Sequence, residues 1–271
     1  MPEPADPRPQ VVAHRGASHE FAEHTLAAYV AALDAGADGL ECDVRLTADG
    51  HLVCVHDRDL RRTTATKGIV STMDLADLSE LDFASWKNPW SDLDDEAEDP
   101  DESVTSVLTL RKLLETVADY HRPVELAIET KHPTRFGGLV EKRLVEMLRD
   151  FGWHHAGAPV RVMSFSHTAL QRVERLAPEV RLVQLFDKPN HWPVLRRLIG
   201  PDWIVGPGIT MLREHPRVRD SIARRDHEIH VWTVNDRPDM ELCLDMGVTT
   251  LISDRPRLIL DLLEERFGPD Q

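Results

Sequence analysis

The sequence predicts an α/β fold: a (β/α)8 TIM barrel with an insertion after a hairpin on its second strand. Three observations carry that expectation. Apolar strand-like runs alternate with helical patterns along nearly all of the 271 residues, giving about eight strand–helix units. The length suits one such barrel as a single domain. No G-x-G-x-x-G follows the first strand, which weighs against a doubly wound open sheet.

Residues 1–10 read as a short disordered lead-in and 11–266 as the barrel domain. Val11–Ala13 is the first strand pattern and breaks into a loop at His14-Arg15-Gly16. Leu26, Tyr29, Val30 and Leu33 then recur at helical spacing, and Gly36 stops the helix. Gly39 to Val44 is the second strand, continuing into LECDVRLTADGHLVCVHD, Leu40 to Asp57. Asp-Gly between apolar runs signals a hairpin. With Asp49-Gly50 as its turn, His51 pairs with Ala48 and His56 falls opposite Asp43. Glu41 and Asp43, two apart in a strand, share one face.

About 58–106 is too long for an ordinary connection. It reads as an insertion with a short helix near Leu75 and Leu78, tryptophans at 86 and 90, and an acidic tip from Asp92 to Glu102. Thr109 opens the next helix, with Leu110, Leu113, Leu114 and Val117 as its stripe. Further strands are expected near 124–129, 160–164, 180–185, 203–205, 229–233 and 250–252. Helices are expected near 139–149, 169–176, 192–199, 217–225, 239–246 and 256–266.

The net charge of −15 has the wrong sign for nucleic acid or an anionic membrane. No apolar run approaches the ~18 residues of a membrane span, and MPEPADPRPQ lacks the apolar core of a secretory signal. Cys42, Cys54 and Cys243 are odd in number and lack metal-type spacing, so buried free thiols in a reducing cytoplasm are expected. No feature assigns an oligomeric state.

Barrel active sites lie at the carboxyl ends of the strands. There the pattern places His14, Arg15, Glu41, Asp43, Glu129, Lys131, Ser164, Trp232, Asn235 and Asp254, with His56 arriving by the hairpin. Glu41, Asp43 and Glu129 offer oxygen only, which suits one hard divalent cation, Mg2+ or Ca2+. The alternative is a repulsive trio relieved by salt bridges to Arg15 and Lys131. Beside a metal those two cations can clamp a phosphate. His14 and His56 can serve as general acid and base. Trp232 can wall a substrate pocket or simply fill the core.

These residues resemble the glycerophosphodiester phosphodiesterase family. The similarity lies in A-H-R-G at Ala13–Gly16, E-H-T at Glu23–Thr25, E-C-D at Glu41–Asp43, T-A-D-G at Thr47–Gly50 and H-D at His56–Asp57. It continues in E-T-K at Glu129–Lys131, S-F at Ser164–Phe165 and W-T-V-N at Trp232–Asn235. The resemblance implies a TIM barrel with a segment inserted after H-D. It also implies a cation on Glu41, Asp43 and Glu129, an acid–base pair in His14 and His56, and hydrolysis of a small glycerophosphodiester. One departure is His24, which stands where the family usually has Asn. Rival readings are a lysophospholipase D-type enzyme, with an acyl groove from the tryptophan-bearing insertion, and a non-catalytic phosphate-ester binding barrel.

Overall fold

The computed structural model of the protein describes residues 8–87 and 105–268. The acidic tip, Trp90 and residues 1–7 of the lead-in lie outside them. Nine strands make one sheet: β1 Gln10–His14, β2 Gly39–Leu46, β3 Leu52–Cys54, β4 Glu125–Thr130, β5 Val160–Ser164, β6 Arg181–Phe186, β7 Ile204–Pro207, β8 His230–Trp232 and β9 Thr250–Ser253. All pair in parallel except β3, which folds back on β2. The sheet runs β7-β6-β5-β4-β2-β1-β9-β8, and bridges from Val205 to Ile229 and Gly208 to Trp232 join its two ends. Eight parallel strands therefore close into the expected barrel.

The outer helices follow the apolar stripes. Leu26–Asp34 starts at the Thr25 N-cap, and Leu110–Ala118 at Thr109, whose hydroxyl accepts from Lys112 N. The helix Leu110–Ala118 buries the four stripe residues expected of it. Two short helices lie outside the expected pattern, Arg61–Thr64 in the insertion and Ile209–Glu214. Six residues before a proline-started helix at Pro216 are too few for periodicity to register. Val12, Ala127, Met163, Val183, Leu185, Ile204 and Ile252 fill the barrel interior, while larger clusters lie between sheet and helices. All three cysteines are buried and free.

The hairpin register differs from the expected one by a residue. Leu46 pairs with Leu52, and Thr47 N donates to His51 O at 2.9 Å. The loop is thus Ala48-Asp49-Gly50, with Gly50 at φ +89°. A three-residue loop ending on a left-handed glycine uses the same Asp-Gly pair as a two-residue turn. Asp49 also accepts from Leu75 N of the insertion, which ties this loop to it. Asp43 consequently stands opposite Val55, whose N–H donates to the Asp43 carbonyl at 3.0 Å, and not opposite His56.

The barrel floor carries an ion network. Arg161, fully buried, donates to Gln10 Oε1, and Arg181 pairs with Glu228 at 2.8 Å. His230 Nε2 lies 2.8 Å from Glu228. Burial drives His230 down to about 3, helped by Arg161 and opposed by Glu228. Glu228 is held at about 2, chiefly by its hydrogen bond with His230. Both groups bind protons more readily when unfolded, so acid favours unfolding. Stability should fall as pH drops below about 6.5, the ordinary histidine value, by up to about 1.4 kcal/mol per pH unit for His230 alone. Urea midpoints between pH 7 and 5 measure this, and His230→Gln should flatten the upper part of the decline. A flat wild-type profile would contradict the neutral, buried imidazole.

Candidate active site

Strand β1 delivers His14 to the rim, and the chain then turns sharply. Arg15 and Gly16 are both left-handed, at φ 59° and 84°. A Cβ on Gly16 would sit 2.6 Å from the Ala28 carbonyl carbon, so only glycine lets this turn rest on the first helix. The turn aims Arg15 N at Glu41 Oε2, 3.0 Å away, and Arg15 Nε at Asp43 Oδ2, also 3.0 Å away. From β4, Lys131 Nζ reaches Asp43 Oδ1 at 3.1 Å and Glu129 Oε1 at 2.9 Å. His24 adds a third contact to Asp43, with Nε2 at 3.0 Å from Oδ2, and its Nδ1 lies 2.8 Å from the Tyr29 hydroxyl.

Glu41, Asp43 and Glu129 are buried, with one oxygen from each within 4.8 Å of the others. Their environments pull them apart. Burial would raise Asp43, but Lys131, His24 and Arg15 outweigh it and hold its carboxyl well below the usual range. Burial and the Asp43 charge push Glu41 well up, and raise Glu129 to about 8. Asp43 Oδ1 accepts no hydrogen bond. Three converging oxygens, two of them driven toward protonation, fit a hard divalent cation whose charge would stand in for those protons. Salt bridges tie Asp43 to Arg15 and Lys131 and Glu129 to Lys131, whereas Glu41 has none to either cation.

His14 Nδ1 lies 2.6 Å from Asp254 Oδ1, and its Nε2 4.0 Å from Glu41 Oε2. Burial opposes ionisation of Asp254, yet hydrogen bonds from His14, Asn235 and Ser18 hold it well below the usual carboxylate range. An ionised carboxylate only accepts, so His14 Nδ1 carries the proton and Nε2 is the free nitrogen. His56 repeats the arrangement, its Nδ1 2.8 Å from Asp57 Oδ1. It reaches the rim because the chain bends after Val55, where Arg45 donates to the His56 carbonyl at 2.9 and 2.7 Å.

Arg62, from the insertion, joins these parts. It contacts Asp57 at 2.5 Å and takes both oxygens of Glu23 at 2.6 and 2.7 Å, and Glu23 in turn pairs with Arg15 at 3.1 Å. Lys87 donates to the Ser18 carbonyl at 2.9 Å, and the Ser18 hydroxyl donates to Asp254. The insertion thus touches the support of both histidines.

Seven of the eight residues singled out from sequence, His14, Arg15, Glu41, His56, Glu129, Lys131 and Trp232, line one cavity of about 260 Å³. Asp43, fully buried, lies behind them. Met163, Phe165, Leu185 and Ile252 form the apolar wall with Trp232. The Trp232 ring meets Phe165 edge-on at 5.4 Å and its Nε1 donates to Gly206 O at 2.9 Å. Asp254 and Asn235 were placed on the rim without a task, and His24, Glu23 and Arg62 had none. Closure supplied the missing signal for Asp254: the last strand of a barrel neighbours the first, which puts its following carboxylate beside His14.

A barrel rim with oriented imidazoles, two cations and an acidic trio defines a hydrolase of phosphate esters. The family profile described as "Glycerophosphoryl diester phosphodiesterase family" matches residues 14–258. A Mycobacterium tuberculosis protein named "Probable glycerophosphodiester phosphodiesterase 1" is 44% identical over 252 residues, covering 92% of this chain and 90% of the relative. A "Glycerophosphodiester phosphodiesterase" of Bacillus subtilis is 31% identical, covering 91% and 84%. The solved structure of an Oleispira antarctica phosphodiesterase in complex with sn-glycerol-3-phosphate aligns with a TM-score of 0.74 at 27% identity, covering 94% of this chain and 97% of that one. The chain belongs to the glycerophosphoryl diester phosphodiesterase family, and it is an enzyme of that class.

Burial lowers His56 to about 4; the Asp43 charge opposes this, and Arg15 and Lys131 reinforce it. With no divalent cation added, the Cε1–H resonance of His56 should titrate near that value. A midpoint above pH 6 would rule out the buried setting described here.

Proposed function

We propose that the protein hydrolyses glycerophosphodiesters to glycerol 3-phosphate and an alcohol, with one divalent cation, Mg2+ or Ca2+, held by Glu41, Asp43 and Glu129. One observation carries the reading. Two imidazoles, each with Nδ1 on an ionised carboxylate, line the same cavity as Arg15, Lys131, Glu41 and Glu129, with Asp43 behind them. The product held by the Oleispira relative is the one this reaction would release.

When bound, the cation would polarise a phosphoryl oxygen and offset the charge developing there. Arg15 and Lys131 add two positive charges on the same wall and hold the phosphodiester toward the histidines. One histidine, neutral with Nε2 unprotonated, accepts the proton of the attacking hydroxyl there; the other enters as the imidazolium, protonated on both ring nitrogens, and gives its Nε2 proton to the departing alkoxide. Asp254 and Asp57 keep the two rings in the required tautomer and stabilise each imidazolium as it forms. Trp232 and Phe165 cover the apolar side of the substrate.

The acyl groove that a lysophospholipase D-type reaction would need gains no support from the described part of the insertion. Trp86 there is engaged by Arg62 and Lys87, 5.7 and 5.8 Å from its ring. No helix among the described residues is long and apolar enough to cross a membrane. A cytoplasmic enzyme acting on a small substrate, without nucleic acid, accords with the charge and the free cysteines.

With glycerophosphocholine as substrate, EDTA should abolish turnover, and Mg2+ or Ca2+ should restore it. His14→Ala and His56→Ala should each lose about a thousandfold or more in kcat. Full activity in either variant would exclude the acid–base pair, and full activity in EDTA would exclude the cation. Faster turnover of lysophosphatidylcholine than of glycerophosphocholine would favour the other substrate class.

Arg62 offers a separate check, because it touches the supports of His56 and Arg15, and Trp86 beyond them, but does not line the cavity. Arg62→Leu should lower kcat about tenfold or more with a smaller change in KM, and Arg62→Lys should recover part of it. Equal losses in both variants, or a purely KM effect, would contradict a positioning task.

A further inference from the structure

Beside the catalytic cavity lies a second, narrower cleft whose lining is cationic. Arg45, Arg58, Lys131 and Arg135 contribute to it, together with Ser71 and Thr134, and no carboxylate does. Lys131 belongs to both cavities, so the two adjoin at that residue. The cleft is also tied to His56 through the chain. Arg45 holds the His56 carbonyl, and Arg58 follows two residues later.

In a chain of net charge −15, three arginines lining one cleft to which no carboxylate contributes call for a reason. Among the described residues, Arg45, Arg58 and Arg135 have no carboxylate within salt-bridge distance. Like charges held close are destabilising unless an anion joins them. Arg58 and Arg135 are exposed, with Arg135 lying over the Phe136 ring at 5.9 Å, whereas Arg45 is fixed by its two hydrogen bonds.

We propose that this cleft is a specificity subsite for an anionic group, a phosphate or carboxylate, carried by the alcohol portion of the glycerophosphodiester. The inference rests on the phosphodiesterase reading above. The cleft itself has about 20 Å³, room for little more than a water. The anion therefore sits at its mouth, taken by Arg58 and Arg135 with Arg45 behind them. Arginine suits this task, since its planar fork pairs with two oxygens of a phosphate or carboxylate at once. Glycerol is uncharged, so the alcohol is the end of the substrate that can bring the anion. Arg15 and Lys131 meet the scissile phosphate, and the outer arginines meet the second charge.

The test compares glycerophosphoglycerol with the same diester bearing a second phosphate on its alcohol, using the full-length protein with Mg2+ present. At low ionic strength the wild type should favour the doubly charged substrate by about tenfold in kcat/KM, equivalent to about 1.4 kcal/mol. Added salt should shrink the preference. The Arg58→Ala/Arg135→Ala variant should lose it while turning over glycerophosphoglycerol as before, which also shows that the variant folds. Arg135→Glu should reverse the preference. Equal wild-type rates on the two substrates would overturn the proposal, as would a variant slowed equally on both. Inhibition by free inorganic phosphate that weakens in the double variant, without any preference between the diesters, would assign the cluster to a free anion and overturn it too. Absence of turnover on both substrates by the wild type would instead count against the phosphodiesterase reading itself.

Discussion

The rim is organised around the charge on Asp43. This carboxylate is fully buried, a setting that ordinarily drives protonation. It stays ionised because three cationic or donating groups converge on it from different parts of the chain: Arg15 after β1, His24 before the first helix and Lys131 after β4. Each of those residues is positioned for that contact by its own local device. Arg15 relies on the left-handed turn with Gly16, and His24 adopts a left-handed backbone at φ 62°. Fixing Asp43 in turn sets the other two carboxylates, because its charge helps to push Glu41 and Glu129 toward protonation. A cation would relieve that conflict, and without the central charge there would be much less to relieve.

Much of this was legible in the sequence, for identifiable reasons. Parallel strands buried on both faces read as short apolar runs between amphipathic helices, so the barrel and most of its elements could be counted. Period-two alternation placed Glu41 with Asp43 and Glu129 near Lys131, and those pairs do meet. The hairpin was a harder case. The Asp49-Gly50 pair marks a turn but does not decide between two and three loop residues, and that choice moves every pairing by one. His56 arrives at the rim through a bend held by Arg45, a long-range contact with no periodic trace. The same holds for the contacts of His24 with Asp43 and of Glu23 with Arg62, 19 and 39 residues apart. Composition does not encode such contacts; only the closed fold does.

Closure accounts for the symmetry between the two histidines. His14 ends the first strand and takes its orienting carboxylate from Asp254, 240 residues later, because β9 lies beside β1. His56 has its carboxylate next in the chain, at Asp57. One pair is made by topology and the other by local sequence, yet both leave Nε2 as the free nitrogen. Two rings prepared alike can exchange protons in opposite directions, with their surroundings deciding which accepts first. The insertion reaches both pairs, through Arg62 on one side and Lys87 with Ser18 on the other.

The two ends of the barrel handle buried charge in contrasting ways, and the contrast separates structure from chemistry. At the floor the acids meet arginines: Glu228 has Arg181, and Glu125 lies within 4 Å of both Arg161 and Arg181. That network is close to neutral within itself and asks for no further charge. At the rim, Glu41 has no Lys or Arg ion-pair partner among the described residues, only the Arg15 backbone N–H and the His14 ring. A few residues away Arg45, Arg58 and Arg135 line a cleft to which no carboxylate contributes. Opposite charges thus sit near one another without pairing, because strand positions and the hairpin keep them apart. Leaving buried or crowded charges unmatched costs stability, and nothing in the barrel architecture requires it. A phosphodiester bound together with a cation would supply both missing signs, which would make the imbalance a property of the site and not of the fold.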